Sequence, residues 1–246
     1  MQPASPLTNA DAIVAWEAGA DRVGDFDDEG DGSRRWLLTP TLFALLGDPA
    51  GKRILDAGCG QGYLSRLLAR RGAQVTGAEP AAPWYAAAVT REEADPLGIA
   101  YLQADLSTLC AAHPQMSGAF DAVVANMVLM DIADYEAAIR SCAVALRPGG
   151  VFVCTLLHPC FEESGAAWLR KGGIETREYL QPYTRAQGIG YLFHRPLSAY
   201  INTLLDAGFT LQRMVEPQLS AEGAAAFGND RDCHVPSFVA LRLTNR

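Results

Sequence analysis

The sequence is short of positive charge. Its 246 residues carry 20 Lys and Arg against 28 Asp and Glu, a formal net charge of −8. Gripping nucleic acid along its backbone needs a basic face. The basic pairs Arg34-Arg35, Arg70-Arg71 and Arg170-Lys171 are scattered and read as solvated surface. Nucleic acid is therefore not an expected partner. The sequence also lacks an apolar run of about 18 residues, the length of a membrane span, so no membrane partner is expected. Its start, MQPASPLTNADAIVAWEAG, has neither a basic opening nor an apolar core, so no secretory leader is expected. The six cysteines (Cys59, Cys110, Cys142, Cys154, Cys160 and Cys233) form no C-x-x-C pair. They read as reduced thiols of a cytoplasmic protein, not as a zinc site or a disulfide frame. No metal site is expected.

What is present is a core. Hydrophobic residues make up 49% of the chain and charged ones 20%, ordinary for a globular protein. At about 150 residues per domain, the length suits one large domain with appendages. Thr8 or Asn9 can cap a helix through Ala18, and an acidic, Gly-rich loop follows over Gly24–Gly32. Trp36, Leu37, Leu42, Phe43, Leu45 and Leu46 then form an apolar helix around Pro40. From residue 52 strands and helices alternate. Short apolar strands are expected at Arg53–Asp56, Gln74–Ala78, Ala100–Gln103, Phe120–Ala125 and Val151–Leu157. Helices fall at Tyr63–Arg71, Trp84–Ala94 and Asp134–Leu146. This alternation predicts a parallel sheet covered on both faces.

The rhythm breaks at His158. Residues 158–194 hold Gly, Pro and aromatic residues without clean periodicity, which reads as a folded cap. Leu197, Tyr200, Ile201, Leu204 and Leu205 then mark an amphipathic helix ended by Gly208. Phe209–Val215 and Ser237–Leu243 read as the last strands, joined by an Ala/Gly-rich loop.

The informative segment is Asp56-Ala57-Gly58-Cys59-Gly60-Gln61-Gly62-Tyr63, between the first strand and the first sheet helix. Glycines let the backbone turn tightly and approach a ligand. Ligands of open parallel sheets sit at the carboxyl ends of the strands, near the topological switch point. Glu79 ends the second strand, where a carboxylate can accept hydrogen bonds from both ribose hydroxyls of an adenosine. A dinucleotide fingerprint fits poorly, because the third glycine comes one residue early.

The segment resembles motif I of the class I S-adenosylmethionine (SAM) dependent methyltransferases. Glu79, Ala104-Asp105-Leu106, Phe120–Asn126 and Leu146-Arg147-Pro148-Gly149-Gly150 resemble that family's later motifs, in the right order over about residues 50–157. The resemblance implies a Rossmann-like α/β fold: a seven-stranded, mostly parallel sheet with an antiparallel last strand. It implies a single domain, with an N-terminal helical lid (1–50), a SAM-binding core (51–157), a substrate cap (158–194) and the closing helix and strands (195–246). His158-Pro159-Cys160-Phe161, His194-Arg195-Pro196-Leu197 and Val215-Glu216-Pro217 resemble a bacterial small-molecule subgroup in which such elements open and close the cap.

The implied cofactor is SAM, and the implied product S-adenosylhomocysteine. The backbone of Ala57, Gly58 and Gly60, within the loop closed by Gly62, meets the methionine part, and Asp56 orders the loop. Glu79 holds the ribose, Pro80 packs on adenine, and Asp105 with Leu106 reads its edge. Asn126 and Met127 line the methionine side. Trp16, Phe26 and Arg35 are candidates for the lid. His158 and His194 are each read as a catalytic base or as a histidine that fixes the cap. Tyr183 and Tyr191 are candidate substrate contacts, and Asp131 is expected to cap the next helix. The N/D-P-P-Y/F motif of amino-directed nucleic-acid enzymes is absent after the fourth strand. The expected activity is methyl transfer to O or N, or to C, of a small, partly apolar metabolite. The alternatives are a SAM-binding protein without transfer, cyclase-like or regulatory, and a protein-directed methyltransferase. A homodimer is compatible with either.

Overall fold

A computed structural model describes residues 6–20, 30–162, 168, 170, 172–228 and 230–246. Its centre is a seven-stranded sheet. The strands are β1 (Arg53–Ala57), β2 (Gln74–Ala78), β3 (Ala100–Leu102), β4 (Phe120–Asn126), β5 (Leu146–Leu157), β8 (Phe209–Val215) and β9 (Phe238–Asn245). Two further strands, β6 (Tyr183–Gln187) and β7 (Gly190–His194), pair as a separate antiparallel hairpin. The sheet order is β3-β2-β1-β4-β5-β9-β8, and β9 runs antiparallel to both its neighbours. The order reverses between β1 and β4, so their carboxyl ends open the ligand crevice of a doubly wound sheet.

The helices are α1 (Asn9–Gly19), α2 (Thr39–Leu46), α3 (Tyr63–Arg70), α4 (Ala82–Ala94), α5 (Leu109–Ala112), α6 (Tyr135–Ala145), α7 (Leu197–Asp206) and α8 (Ala221–Phe227). Strand residues alternate between two cores. Leu55, Val123, Phe152 and Val239 pack with α6 and α7 on one face. Ile54, Val124, Val153 and Ala240 pack with α2 and α3 on the other. Burial on both faces explains why the strands read as apolar runs. Among the described residues no helix is long and apolar enough to cross a membrane.

Several elements depart from expectation. The fifth strand begins at Leu146, not Val151. Its pairing with β4 jumps from Phe120–Leu146 to Ala122–Val151, so the Pro-Gly-Gly turn is absorbed as a bulge. The cap contains the β6–β7 hairpin, and the Ala/Gly-rich loop contains α8. Asp131 does not cap the next helix: Asp134 does, accepting from the Ala137 N–H at 3.0 Å. Thr8 caps α1 through a reciprocal pair with Asp11.

That first helix lies over the crevice. Asn9 Nδ2 donates to Asp105 Oδ2 (3.2 Å) and Ser107 Oγ (2.9 Å), while Asn9 Oδ1 accepts from the Asp134 N–H (2.8 Å). Trp84 Nε1 donates to the Trp16 carbonyl at 3.1 Å. The far side of α1 meets the hairpin tip. A Cβ at Gly190 would stand 2.7 Å from the Trp16 indole, so glycine there lets the indole pack directly on the hairpin backbone.

Candidate active site

The turn after β1 is tied to the end of β2. Gly58 N and Cys59 N both donate to the Ala78 carbonyl, at 2.8 and 3.0 Å. Gly58 has φ 72°, and a Cβ there would lie 2.6 Å from a Val128 methyl. Gly58→Ala should therefore lose SAM binding and about 2 kcal/mol or more of stability, through left-handed strain and overpacking. Calorimetric titration and thermal melting check this.

Glu79 closes the turn from the other side. Its Oε2 accepts from Gly60 N at 3.0 Å and its Oε1 from Ala81 N at 2.9 Å. Each carboxylate oxygen keeps a second lone pair for an incoming hydroxyl. Burial pushes the carboxyl up to about 7, against the two backbone donors that favour its charged form. Asp56 sits behind the turn and accepts from Ser65 Oγ at 2.6 Å; burial pushes it up to about 6.

A single cavity of about 460 Å³ opens from this turn. Its wall takes Gly58, Gly60, Glu79, Pro80, Asp105 and Leu106 from the turns after β1, β2 and β3. Asn126, Met127, Val128, Met130, Asp131 and Ile132, from the end of β4 and the segment after it, complete it with Tyr191 of the hairpin. Trp16 and Ile13 of α1 and the hairpin tip at Gly188–Gly190 roof it. Ala57, Gly62 and Asp56 stand behind its wall. Asn126 bridges Tyr63 and Thr155, the latter donating from Oγ1 at 2.6 Å. Met127 is held at φ 61°, a conformation costly for a side-chain-bearing residue and common where backbone geometry serves a site. The donor set suits SAM: glycine backbone for the amino acid, a two-oxygen acceptor for the ribose, and an apolar slot with one carboxylate for adenine.

The two histidines lie elsewhere. His158 Nδ1 accepts from Cys160 N at 3.2 Å, so Nε2 carries the proton and donates to Glu216 at 3.0 Å. Burial lowers its pKa more than Glu216 raises it. His194 Nε2 donates to the Tyr179 carbonyl at 2.9 Å, and Nδ1 meets Glu162 at 2.8 Å. Its ring stacks on Tyr183 at 4.4 Å, and the Tyr183 hydroxyl donates to Glu162. Neither histidine lines the cavity, nor does Tyr183. Of the two readings open for the histidines, these contacts favour the one that fixes the cap. His194→Ala should cost about 3 kcal/mol, from two lost hydrogen bonds and a stacked ring, with SAM affinity unchanged. A parallel melt and titration decides it.

Of the lid candidates, Trp16 lines the cavity, Arg35 does not, and Phe26 lies outside the described residues. Arg34 lines it in place of Arg35. Sequence reading also missed Asn9, Asp131 and the positioning role of Arg195. Arg195 donates to the carbonyls of Ile132 and Ala133, both at 2.8 Å, and its guanidinium lies 4.0 Å from the Tyr135 ring centre. The only hint was its place in the His-Arg-Pro-Leu element.

A doubly wound sheet with a glycine turn, an acid ending the second strand and a roofed cavity at the switch point defines an adenosyl-binding α/β enzyme. Residues 55–154 match the family model described as a methyltransferase domain. The chain is 30% identical over 172 residues to the ubiquinone biosynthesis O-methyltransferase of Escherichia fergusonii, covering 68% of each. It is 27% identical to that of Cronobacter sakazakii over 79% of this chain and 82% of the other. The crystal structure of a SAM-dependent methyltransferase from Mesorhizobium loti superposes with a TM-score of 0.72 at 26% identity, over 89% of this chain and 100% of that one. The chain belongs to the class I SAM-dependent methyltransferases, and its cofactor is SAM.

Proposed function

We propose that the enzyme methylates an oxygen or nitrogen atom of a small, partly apolar molecule, with oxygen favoured. The observation that carries this reading is the cavity itself: one space of about 460 Å³ is bounded by the glycine turn and by apolar side chains such as Ile13, Met130 and Ile132, and is roofed by α1 and the hairpin. A roof of that kind suits a small acceptor better than a macromolecular surface. The ubiquinone biosynthesis relatives are named as O-methyltransferases, which supports oxygen.

When bound, SAM supplies a methyl group already activated on a sulfonium, so the protein's task is to hold, orient and keep dry. In this reading the backbone of Ala57, Gly58 and Gly60 takes the methionine part, with Asp56 ordering the loop. Glu79 holds the ribose. Pro80, Asp105 and Leu106 hold adenine, and Asn126 with Met127 lines the methionine side. Tyr191, Met130 and Ile132 shape the acceptor end.

Calorimetry with SAM and S-adenosylhomocysteine tests the first half; no binding at ~100 μM would overturn it. Incubation with methyl-labelled SAM and a metabolite extract tests the second. Label in a small product supports the reading. Label in protein, or binding without transfer, would favour the protein-directed or non-transferring alternatives.

A further inference from the structure

Among the described residues three carboxylates line the cavity, and two are already engaged. Glu79 accepts from Gly60 N and Ala81 N, and Asp105 from Asn9 and from Ser107 N. Asp131 differs. Among the described residues no donor hydrogen-bonds to its carboxylate. The residue is half-buried in the cavity wall, where its carboxylate is open to a ligand.

The segment bearing it is held firmly. Residues Leu129–Asp131 form a single 3-10 turn just after Met127 and its left-handed backbone. Arg195 grips the same segment through the carbonyls of Leu129, Ile132 and Ala133. A carboxylate fixed this way and left unpaired in the cavity is placed rather than incidental.

Its surroundings define what it can meet. Asp131 shares the cavity wall with Val128, Met130, Ile132 and Tyr191. Among the described residues its charged and titratable neighbours are Glu79 after β2, Arg34 before α2 and Tyr200 of α7. Resting on the reading above, we infer that Asp131 is the catalytic residue that accepts the proton of a phenolic or enolic hydroxyl, and that such a hydroxyl is the methyl acceptor. A hydroxyl must shed its proton as the new bond forms, whereas a neutral amine can attack with its lone pair already free. The apolar walls suit an aromatic body.

The step balances. The acceptor's O–H proton passes to Asp131 Oδ, and the oxygen electron pair forms the C–O bond. The methyl carbon–sulfur bond breaks, and its pair stays on sulfur as the thioether. Burial and the nearby Glu79 charge hold Asp131 well above the usual carboxylate range, and Arg34 opposes them. A carboxyl so raised is a stronger base than a solvated one.

Sinefungin, whose amine-bearing carbon replaces the sulfur–methyl unit, probes the position without needing the true acceptor. Its affinity and that of S-adenosylhomocysteine are measured for wild type, Asp131→Asn and Asp131→Ala between pH 6 and 9. Wild type should prefer sinefungin, increasingly as pH rises. The variants should lose about 10- to 100-fold for sinefungin and change little for S-adenosylhomocysteine. An equal fall for both ligands, or none, overturns the inference. In parallel, methyl-labelled SAM is offered with catechol, 4-nitrophenol and the matching anilines. Transfer to the phenols, falling at low pH and lost in Asp131→Asn, is expected. Transfer to the anilines alone, or full phenol activity in Asp131→Asn, overturns it. Failure of wild type to bind either adenosyl compound would instead overturn the methyl-transfer reading on which it rests.

Discussion

Glu79→Ala should weaken SAM binding by at least about 100-fold. The carboxylate has two tasks at once. It receives Gly60 N and Ala81 N, which sets the glycine turn against the end of β2. In the proposed binding mode it also receives both ribose hydroxyls. Hydrogen bonds to a charged group contribute about 1.5–3 kcal/mol each, so two lost hydroxyl contacts alone account for the factor, before any loosening of the turn. Calorimetric titration measures it; an affinity within about threefold of wild type would remove Glu79 from the ribose site.

The same carboxylate predicts a pH dependence. Its folded pKa of about 7 lies above the ordinary 4.5. The folded protein therefore holds that proton more tightly than the unfolded chain does. The associated stability is fully present below about 4.5 and is lost as pH rises through about 7. Asp56, raised from 3.8 to about 6, acts in the same direction over a lower window. Ribose hydroxyls favour the charged form of Glu79, so SAM binding should release a proton and tighten as pH rises from 6 to 8. Melting of the protein with and without SAM across that range shows both trends, and their opposite signs are the diagnostic feature.

Arg195→Ala should lower the melting temperature by about 10 °C and reduce methyl transfer more than SAM affinity. The guanidinium donates to the carbonyls of Leu129, Phe193, Ile132 and Ala133, and it lies over the Tyr135 ring. Removing it leaves part-buried carbonyls with fewer donors and frees the turn that carries Asp131. A loss of about 2–4 kcal/mol follows, equivalent to several degrees or more in a chain of this size. Arg195→Lys should not restore the protein, because a single ammonium cannot reproduce the planar fork. The combined reading is a melt, a SAM titration and a transfer assay on one sample; a fall in SAM affinity as large as the fall in transfer would place Arg195 in the cofactor site instead.

The central sheet and the glycine turn that opens the cavity were legible from sequence because the signals are local. Apolar strands at Ile54, Val124 and Val153, glycines at 58, 60 and 62, and acids at Glu79 and Asp105 each act within a strand and its following turn. Chain order and the right-handed crossover then fix where those turns meet. The cap and the rest of the cavity wall were not legible, because they depend on pairings across long sequence separations. His158 looks like a base until Glu216, 58 residues on, takes its Nε2 proton. His194 looks the same until Glu162 and Tyr179 occupy both ring nitrogens. Asp131 reads as a helix cap until Asp134 takes that place, and Asn9 is an ordinary helix start until α1 crosses to Asp105 and Asp134. The sequence by itself determined the sheet, the glycine turn and the class of cofactor. The tertiary structure alone decided which side chains line the cavity, since that depends on which distant segments fold against one another.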